Sequence, residues 1–185
     1  SAENLVDWHN ASNSTIQNSF MEDTGLIGAF DRPCIAGFAA HAHIVNNELR
    51  NCSDGVVSVD GGTSTGLVIE NNDIYLTSAW YTTGGTKACA ENGIDLKSTT
   101  DSLNPIRVIH NRSWGHRPSD GTCTDGSFGE EIIFHETAGV NHHVSYGLIQ
   151  NNILFDGSIC IATPNQEAGG PDHWSIIGNI CYDVG

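Results

Sequence analysis

Short apolar runs alternate with polar residues along the whole chain, and no segment has the 3.6-residue periodicity of an amphipathic helix. Several runs alternate with period two, which is typical of β-strands with one buried face. They are VVSVD at 56–60, GIDLK at 93–97, EIIFHE at 131–136 and ICIAT at 159–163, with weaker examples in LVDWH at 5–9 and CIAGF at 34–38. The pattern therefore predicts an all-β protein.

An asparagine follows two residues after an Ile or Val in six words along the chain. The words are TIQNSF, IVNNEL, VIENNDI, VIHNRS, LIQNNIL and IIGNIC, and the residues are Asn18, Asn47, Asn71, Asn111, Asn151 and Asn179. Their spacing varies while the word is kept, as expected when one structural unit repeats and its loops differ in length. Asn suits a sharp bend after a strand because it tolerates the left-handed conformation. Stacked amides would satisfy one another and form a buried ladder.

The repeated Asn word and the strands before it resemble the right-handed parallel β-helix of the pectate-lyase-like superfamily, which shares the pectin-lyase fold and an internal Asn ladder. The resemblance covers almost all of the 185 residues. It implies a single domain, residues 1–185, built as a right-handed solenoid of about six coils. That superfamily contains lyases, hydrolases, epimerases, tailspikes and non-catalytic adhesins, so the fold alone does not fix an activity.

The net charge and the lengths of the apolar runs exclude some classes of binding partner. The formal net charge is −15, from 22 acidic and 7 basic residues. Nucleic acid is therefore excluded as a partner, because phosphate binding needs a cationic face. No run of 18 apolar residues is present, so no membrane span is expected. A turn-rich chain with 21 Gly and six Cys, none in a C-x-x-C spacing, favours a secreted, extracellular protein with disulfides.

The cysteine spacing favours one pair. Cys89 and Cys123 each lie in a loop shortly before a predicted strand, which would place them about one coil apart and allow a disulfide. For Cys160 and Cys181 the alternative is burial as small apolar residues without a disulfide.

Four sequons are present. Asn10, Asn13 and Asn51 are predicted glycan acceptors in a eukaryotic secretory route. The fourth sequon residue, Asn111, belongs to the predicted ladder, so we expect it to be buried and unmodified.

Acidic and basic side chains collect on the first strand of successive coils. With the apolar residues of GIDLK and EIIFHE pointing inward, the outward side chains are Asp60, Asp95, Lys97 and His135, and Glu136 follows directly. Neighbouring coils are separated by about 4.8 Å, so these residues are predicted to form one acid and base cluster. The alternative is an ion pair of Lys97 with Asp95 or Asp60 on the surface, beside an exposed histidine.

The resemblance implies a chemistry for this cluster. Uronic-acid lyases of the superfamily use a Lys or Arg base, often with Ca²⁺, and GIDLK looks like the Gly-Ile-Asp-Ile-Lys word of such coils. β-Elimination needs a base and a cation that stabilises the developing charge. Lys97 and His135 are the predicted catalytic residues, and His135 is the better base at neutral pH. Asp60, Asp95 and Glu136 would supply oxygen ligands to Ca²⁺.

Further residues are predicted to bind substrate. Four of the seven basic residues, Lys97, Arg107, Arg112 and Arg117, lie within one 21-residue stretch, where they would form a positive patch. Arg107 and Arg112 are predicted to grip a carboxylate or sulfate, together with Asp60 in the groove. The alternative is that these arginines neutralise nearby acids.

Two tryptophans in long loops complete the predicted substrate set. Trp80 and Trp114 are predicted to stack on sugar rings, because binding residues concentrate in loops on a rigid scaffold. The alternative is that they pack the loops against the solenoid.

Two functions follow from the sequence. The first is a secreted β-helix that acts on or binds a polysaccharide, with lyase-like β-elimination as its chemistry. The second is a non-catalytic structural or adhesive solenoid, glycosylated and able to form filaments. Neither end of the chain has a recognisable cap or leader, so we expect an excerpt of a longer solenoid or a subunit that stacks end to end with copies of itself.

Overall fold

The computed structural model of the chain describes residues 4–22, 32–59, 62–82, 90–98, 100–117, 129–135, 144–163 and 172–185. These residues form three β-sheets of six strands each and one short helix. Successive strands along the chain belong to the three sheets in turn, so three strands make one coil. The protein is a right-handed parallel β-helix of about six coils, as the sequence predicted.

The strands are short because the chain bends after each of them. The first three coils contain β1 (Val6–Asp7), β2 (Thr15–Gln17), β3 (Phe20–Glu22), β4 (Ile35–Gly37), β5 (His43–Val45), β6 (Glu48–Arg50), β7 (Val56–Ser58), β8 (Val68–Glu70) and β9 (Asp73–Tyr75). The helix α1 (Ser78–Thr82) follows. The last three coils contain β10 (Ile94–Leu96), β11 (Ile106–Ile109), β12 (Arg112–Trp114), β13 (Glu130–Phe134), β14 (Gly147–Gln150), β15 (Ile153–Phe155), β16 (Ile159–Ala162), β17 (Trp174–Ile177) and β18 (Ile180–Tyr182).

The first strands of the six coils form sheet A, the second strands form sheet B and the third strands form sheet C. Each strand pairs in parallel with its counterpart in the next coil. All six words with period-two alternation contain a strand of sheet A, so these predicted strands are confirmed.

The interior is a set of aliphatic columns that run along the axis. In sheet B, Ile44, Ile69, Val108 and Ile149 are in register and fully buried. The corresponding column of sheet A includes Val56, Ile94 and Ile132. Each such side chain stabilises the fold by about 1.5–3 kcal/mol relative to exposure. Parallel register places like residues above one another, which is why the core is long and narrow.

A ladder of side-chain amides runs along the bend between sheets B and C. At each step the backbone N–H of one ladder residue donates to the side-chain oxygen of the ladder Asn in the next coil, at 2.8–3.1 Å. The donor and acceptor pairs are Ser19 and Asn47, Asn47 and Asn72, Asn72 and Asn111, Asn111 and Asn152, and Asn152 and Asn179. Each Asn amide also donates to a sheet B carbonyl of the preceding coil, as Asn72 does to Ile44. The buried polar groups of the bend therefore satisfy one another.

The predicted ladder is correct at Asn47, Asn111 and Asn179 and wrong at three other positions. Asn18, Asn71 and Asn151 lie one residue before the ladder, are exposed and have φ of 53°, 55° and 55°. They make the left-handed bend, and the ladder positions after them are Ser19, Asn72 and Asn152.

The error has a physical cause. Ile69 points inward, and the second residue after it, Asn71, lies in the exposed bend. Ile109 occupies the next position of its strand, in register with Glu70, so the second residue after it, Asn111, lies in the ladder. The sequence word therefore mixed residues from two faces of sheet B.

Two disulfides join described cysteines, Cys34 to Cys52 and Cys160 to Cys181. The alternative of free, buried Cys160 and Cys181 is therefore wrong. The predicted pair of Cys89 and Cys123 lies outside the described residues. Disulfides of this kind are typical of proteins from an oxidising environment.

The sequons fall into two groups. Asn10 and Asn13 are exposed at turns with positive φ, and their modification stays a prediction. Asn51 is 6% exposed, and its side-chain oxygen accepts hydrogen bonds from the N–H and the hydroxyl of Thr77. Asn51 is therefore buried in the folded protein, and its modification stays a prediction. Asn111 is buried, as expected.

Among the described residues, no helix has both the length and the hydrophobicity needed to cross a bilayer. Large apolar side chains are exposed in the first coil, at Phe20, and in the last coil, at Ile176, Ile180 and Tyr182. End-to-end stacking of copies stays a prediction.

Neighbouring asparagines provide a direct test of the ladder. Asn72→Ala removes the acceptor of Asn47 and the donor to Ile44, so we expect the free energy of unfolding to fall by about 3–5 kcal/mol. Asn71→Gly changes only the exposed bend and should stay within about 0.5 kcal/mol of the wild type. Urea unfolding followed by circular dichroism measures both, and equal losses would contradict the ladder.

Candidate functional site

The outer side of sheet A contains the predicted acid and base cluster. Ile94 and Leu96 of β10 are fully buried in the core, so Asp95 between them points outward. Its carboxylate lies 2.8 Å from Lys97 Nζ. The backbone N–H of Lys97 donates to the hydroxyl of Ser58 on the neighbouring coil at 2.9 Å, which fixes the position of Lys97 after the strand.

His135 completes the contact one coil further on. It follows β13, its backbone N–H donates to the carbonyl of Leu96, and its Nε2 lies 3.2 Å from the second carboxylate oxygen of Asp95. The structure therefore brings Asp95, Lys97 and His135 together. This is not a surface ion pair beside an exposed histidine, because Asp95 is 3% and His135 9% exposed.

The surroundings keep Asp95 ionised. Burial is the largest influence and raises the pKa of its carboxyl, but the charge of Lys97 and the hydrogen bond from His135 together outweigh burial, so that the pKa is lowered. A buried carboxylate is stable only with such partners. The ionised state of Asp95 therefore depends on Lys97 and His135.

Two further acids join this cluster, and sequence reasoning missed both. Asp54 is 1% exposed, and its carboxyl accepts hydrogen bonds from the backbone N–H of Asn92 at 3.0 Å and the hydroxyl of Ser53 at 3.3 Å. Burial, followed by the charge of Glu91, raises its pKa well above the ordinary value. Two carboxyl groups with opposite shifts in one site are typical of acid and base pairs.

Asn92 links these acids. Its side-chain Nδ2 lies 3.5 Å from the Asp95 carboxylate, and its backbone N–H bonds to Asp54. The sequence did contain a signal for this pair, because Asp54-Gly55 and Asn92-Gly93 are matching dipeptides placed directly before two strands of sheet A.

The helix α1 packs against the residue that precedes Glu91. Trp80 of α1 is fully buried and packs with Leu76 and Ala90, the residue before Glu91. Tyr81 donates a 2.6 Å hydrogen bond to the Gly115 carbonyl, and burial raises its pKa to about 12. The predicted stacking of Trp80 on a sugar is wrong, because its indole packs inside the protein.

Trp114 belongs to an aromatic stack on the outer side of sheet C. The ring centroids of Tyr75 and Trp114 are 4.3 Å apart, those of Trp114 and Phe155 are 5.4 Å apart, and the rings are nearly parallel. Tyr182 continues the stack. Both faces of the Trp114 indole are covered by protein rings, so the structure does not support the predicted stacking on a sugar.

The predicted positive patch is divided among different sides of the solenoid. Lys97 lies on sheet A, Arg107 is exposed on the outer side of sheet B, and Arg112 pairs with Asp73 on sheet C. Arg117 pairs with Asp156. A 21-residue stretch passes around most of one coil, so closeness in sequence does not place these cations together. A substrate contact by Arg107 or Arg112 individually stays a prediction.

The predicted calcium ligands are only partly described, because Asp60 and Glu136 lie outside the described residues. The third, Asp95, directs its oxygens toward Lys97 and His135, so a metal ion would have to displace a cation. Within the described part of the chain, no three His, Cys, Asp or Glu side chains converge as metal ligands. A Ca²⁺ site therefore stays a prediction.

A second polar cluster is fully buried between the end of β12 in sheet C and the start of β13 in sheet A. Glu131 of β13 is fully buried and accepts hydrogen bonds from the hydroxyl of Ser113 at 2.5 Å and from His116 Nδ1 at 2.8 Å. Glycines make the space, since a Cβ on Gly93 would lie 2.1 Å from the Ser113 hydroxyl. The cluster has no access to a substrate, and it anchors the strand that ends beside His135.

Comparison of the chain with protein-family models, curated proteins and solved structures gave no match. The parallel β-helix architecture therefore rests on the pairing of the three sheets.

The buried Glu131 cluster predicts a large effect on stability. Glu131→Gln leaves the His116 and Ser113 donors without a charged acceptor, so we expect the free energy of unfolding to fall by about 3 kcal/mol or more. Glu70→Gln is the matched control, because Glu70 faces solvent 3.7 Å from His110 and should matter by about 0.5 kcal/mol at most. Similar losses for both variants in chemical denaturation would contradict this role.

Proposed function

We propose that the protein is a secreted carbohydrate-active β-helix, of the pectate-lyase-like kind, that cleaves a uronate-containing polysaccharide by β-elimination on the outer side of sheet A. The proposal is carried by the contacts of Asp95, which holds an ammonium at 2.8 Å and an imidazole nitrogen at 3.2 Å. A base, a cation and a group that orients them are what this chemistry requires.

The two candidate catalytic residues take different roles. Lys97 is paired with a buried carboxylate, which favours its charged form and makes it a poor base. Its ammonium is suited to stabilise the negative charge that develops on the substrate carboxyl group. His135 is the base, and Asp95 orients its ring through Nε2.

The elimination needs no co-reactant, because the bonds that break and the double bond that forms all belong to the substrate. His135 takes the proton from the carbon next to the carboxyl group, the electron pair of that bond forms a carbon–carbon double bond, and the glycosidic oxygen leaves with its bonding pair. The leaving oxygen then gains a proton from solvent or from the protonated base. Lys97 and His135 retain 25% and 11% of their side-chain exposure, whereas Asp95 retains 4%, as expected for two reacting groups above a supporting one.

The overall charge bears on the substrate. The chain has a net charge of −15, which repels a long polyanion at low ionic strength. The cationic side chain of the cluster is therefore expected to contact one uronate at the cleavage point rather than a continuous row of them. The alternative function, a non-catalytic structural or adhesive solenoid that is glycosylated and forms filaments, predicts no turnover at all.

Variants of the two residues test the proposal. Lys97→Ala and His135→Ala should each lower kcat/KM for release of unsaturated products by about 100-fold or more, because each removes a group that acts in the transition state. Ultraviolet absorbance of the new double bond, with a panel of uronate-containing polysaccharides, is the measurement.

The control is His43→Ala, which removes an exposed histidine on the outer side of sheet B and should leave the rate unchanged. Circular dichroism must show that all three variants are folded. The proposed lyase activity is refuted if Lys97→Ala or His135→Ala keeps full activity. It is also refuted if the wild type turns over none of the polysaccharides.

A further inference from the structure

A serine occupies a position in sheet A where the next two coils have large apolar side chains. Ser58, Leu96 and Phe134 are in register at the last inward position of β7, β10 and β13, and all three are buried. A hydroxyl in such a column lowers stability unless it is hydrogen-bonded. The role of Ser58 therefore follows from the bonds that its hydroxyl makes.

The Ser58 hydroxyl accepts hydrogen bonds from two successive backbone N–H groups of the next coil. These are the N–H of Lys97 at 2.9 Å and the N–H of Ser98 at 3.3 Å. They belong to the two peptide units on either side of the Lys97 Cα atom. Because each peptide unit is planar, holding both of them fixes the direction in which the Lys97 side chain leaves the backbone.

The matching steps on either side show what the hydroxyl adds. At each of three successive steps, the N–H of the residue after the strand donates to a backbone carbonyl of the coil before it, from Val59 to Gly37, from Lys97 to Ser58 and from His135 to Leu96, at 2.9–3.1 Å. Of the three acceptor residues, Ser58 alone has a side-chain oxygen. The additional bond therefore belongs to the step that places Lys97.

The direction of the Lys97 side chain decides where its ammonium lies. Lys97 Nζ is 2.8 Å from the Asp95 carboxylate, and the Lys97 side chain keeps 25% of its exposure. A lysine side chain is a flexible four-carbon chain, and holding it in one conformation costs entropy. A backbone that already directs this side chain toward Asp95 reduces the number of conformations that are lost.

We propose that Ser58 is a positioning residue for Lys97. Its hydroxyl fixes the peptide units around Lys97, so that the ammonium stays beside Asp95 and at the place where charge develops on the substrate carboxyl group. As a contribution to catalysis the inference rests on the proposed function, although the position of the ammonium can be measured without a substrate. Ser58 is fully buried, so it acts only through Lys97. A displacement of about 1 Å is enough to remove much of the effect of a catalytic group.

Two buried serines provide a variant and its control. Ser58→Ala removes the acceptor that the two N–H groups share. Ser64→Ala is the control, because Ser64 is also fully buried and its hydroxyl has no hydrogen-bond partner within the described part of the chain. Ser58→Cys is a second variant, which keeps nearly the same side-chain volume and replaces the oxygen by a weak acceptor. Circular dichroism and urea unfolding show which variants are folded under the assay conditions.

The first measurement needs no substrate. The rate at which an amine-reactive ester acylates Lys97, followed by mass spectrometry of the peptide that contains it, reports how firmly Asp95 holds the ammonium. We expect this rate to rise about fivefold or more in Ser58→Ala, because an amine that leaves its carboxylate loses its proton more readily. The amide hydrogen of Ser98 should also exchange about tenfold faster, since its acceptor is gone. Ser64→Ala should keep both wild-type rates.

Kinetics on the uronate polysaccharide that the wild type cleaves provide the second measurement. Ser58→Ala should lower kcat by about tenfold and leave KM within about twofold of the wild-type value, because the ammonium acts on charge that develops in the transition state. Ser58→Cys should change kcat in the same direction. Ser64→Ala should match the wild type in both constants.

The outcomes separate this inference from the proposed function. Wild-type acylation of Lys97 in a folded Ser58 variant, or an unchanged kcat, would overturn the role of Ser58 even in an active enzyme. Equal changes in Ser58→Ala and Ser64→Ala would also overturn it, because a general loss of packing would explain both. Faster acylation of Lys97 in a protein that turns over no polysaccharide would leave the positioning in place and remove its role in catalysis.

Discussion

The amide ladder is the constraint on which the rest of the structure depends. A solenoid must bend after every strand, and the bend between sheets B and C places the backbone N–H of the ladder position in the interior. Here the side-chain oxygen of an Asn in the next coil accepts from that N–H, as Asn111 does for Asn72. Such a bond forms only when successive coils are in register, so the ladder fixes the height and rotation of each coil relative to its neighbours.

This register also organises the outer faces. Residues of equal position in successive coils lie above one another, which produces the aromatic stack of Tyr75, Trp114 and Phe155 and the ion pair of Arg112 with Asp73 on sheet C. These side chains satisfy one another along the axis. The outer side of sheet A differs, because the buried Asp95 there contacts both Lys97 and His135, and these contacts make it the candidate site.

Burial and neighbouring charges shift the pKa values of two carboxyl groups in the candidate site in opposite directions. Asp95 remains ionised only because Lys97 and His135 contact it, while Asp54, without such a partner, favours its proton. The same burial thus accompanies a raised pKa for the Asp54 carboxyl and a lowered pKa for the Asp95 carboxyl, because only Asp95 has both Lys97 and His135 in contact. Glu131, which contacts Ser113 and His116, anchors β13, the strand that precedes His135.

The sequence by itself determined the repeating unit, the first strand of each coil and the meeting of Asp95, Lys97 and His135, because these follow from the alternation of residues and the pairing of adjacent coils. It did not determine the ladder register, since Ile and Val occupy both faces of sheet B and the Asn word follows either. Only the tertiary structure placed Asp54 against Asn92, buried Trp80 and separated the arginines. Those contacts depend on loops of varying length and on the direction in which a coil turns, and neither is encoded in local periodicity.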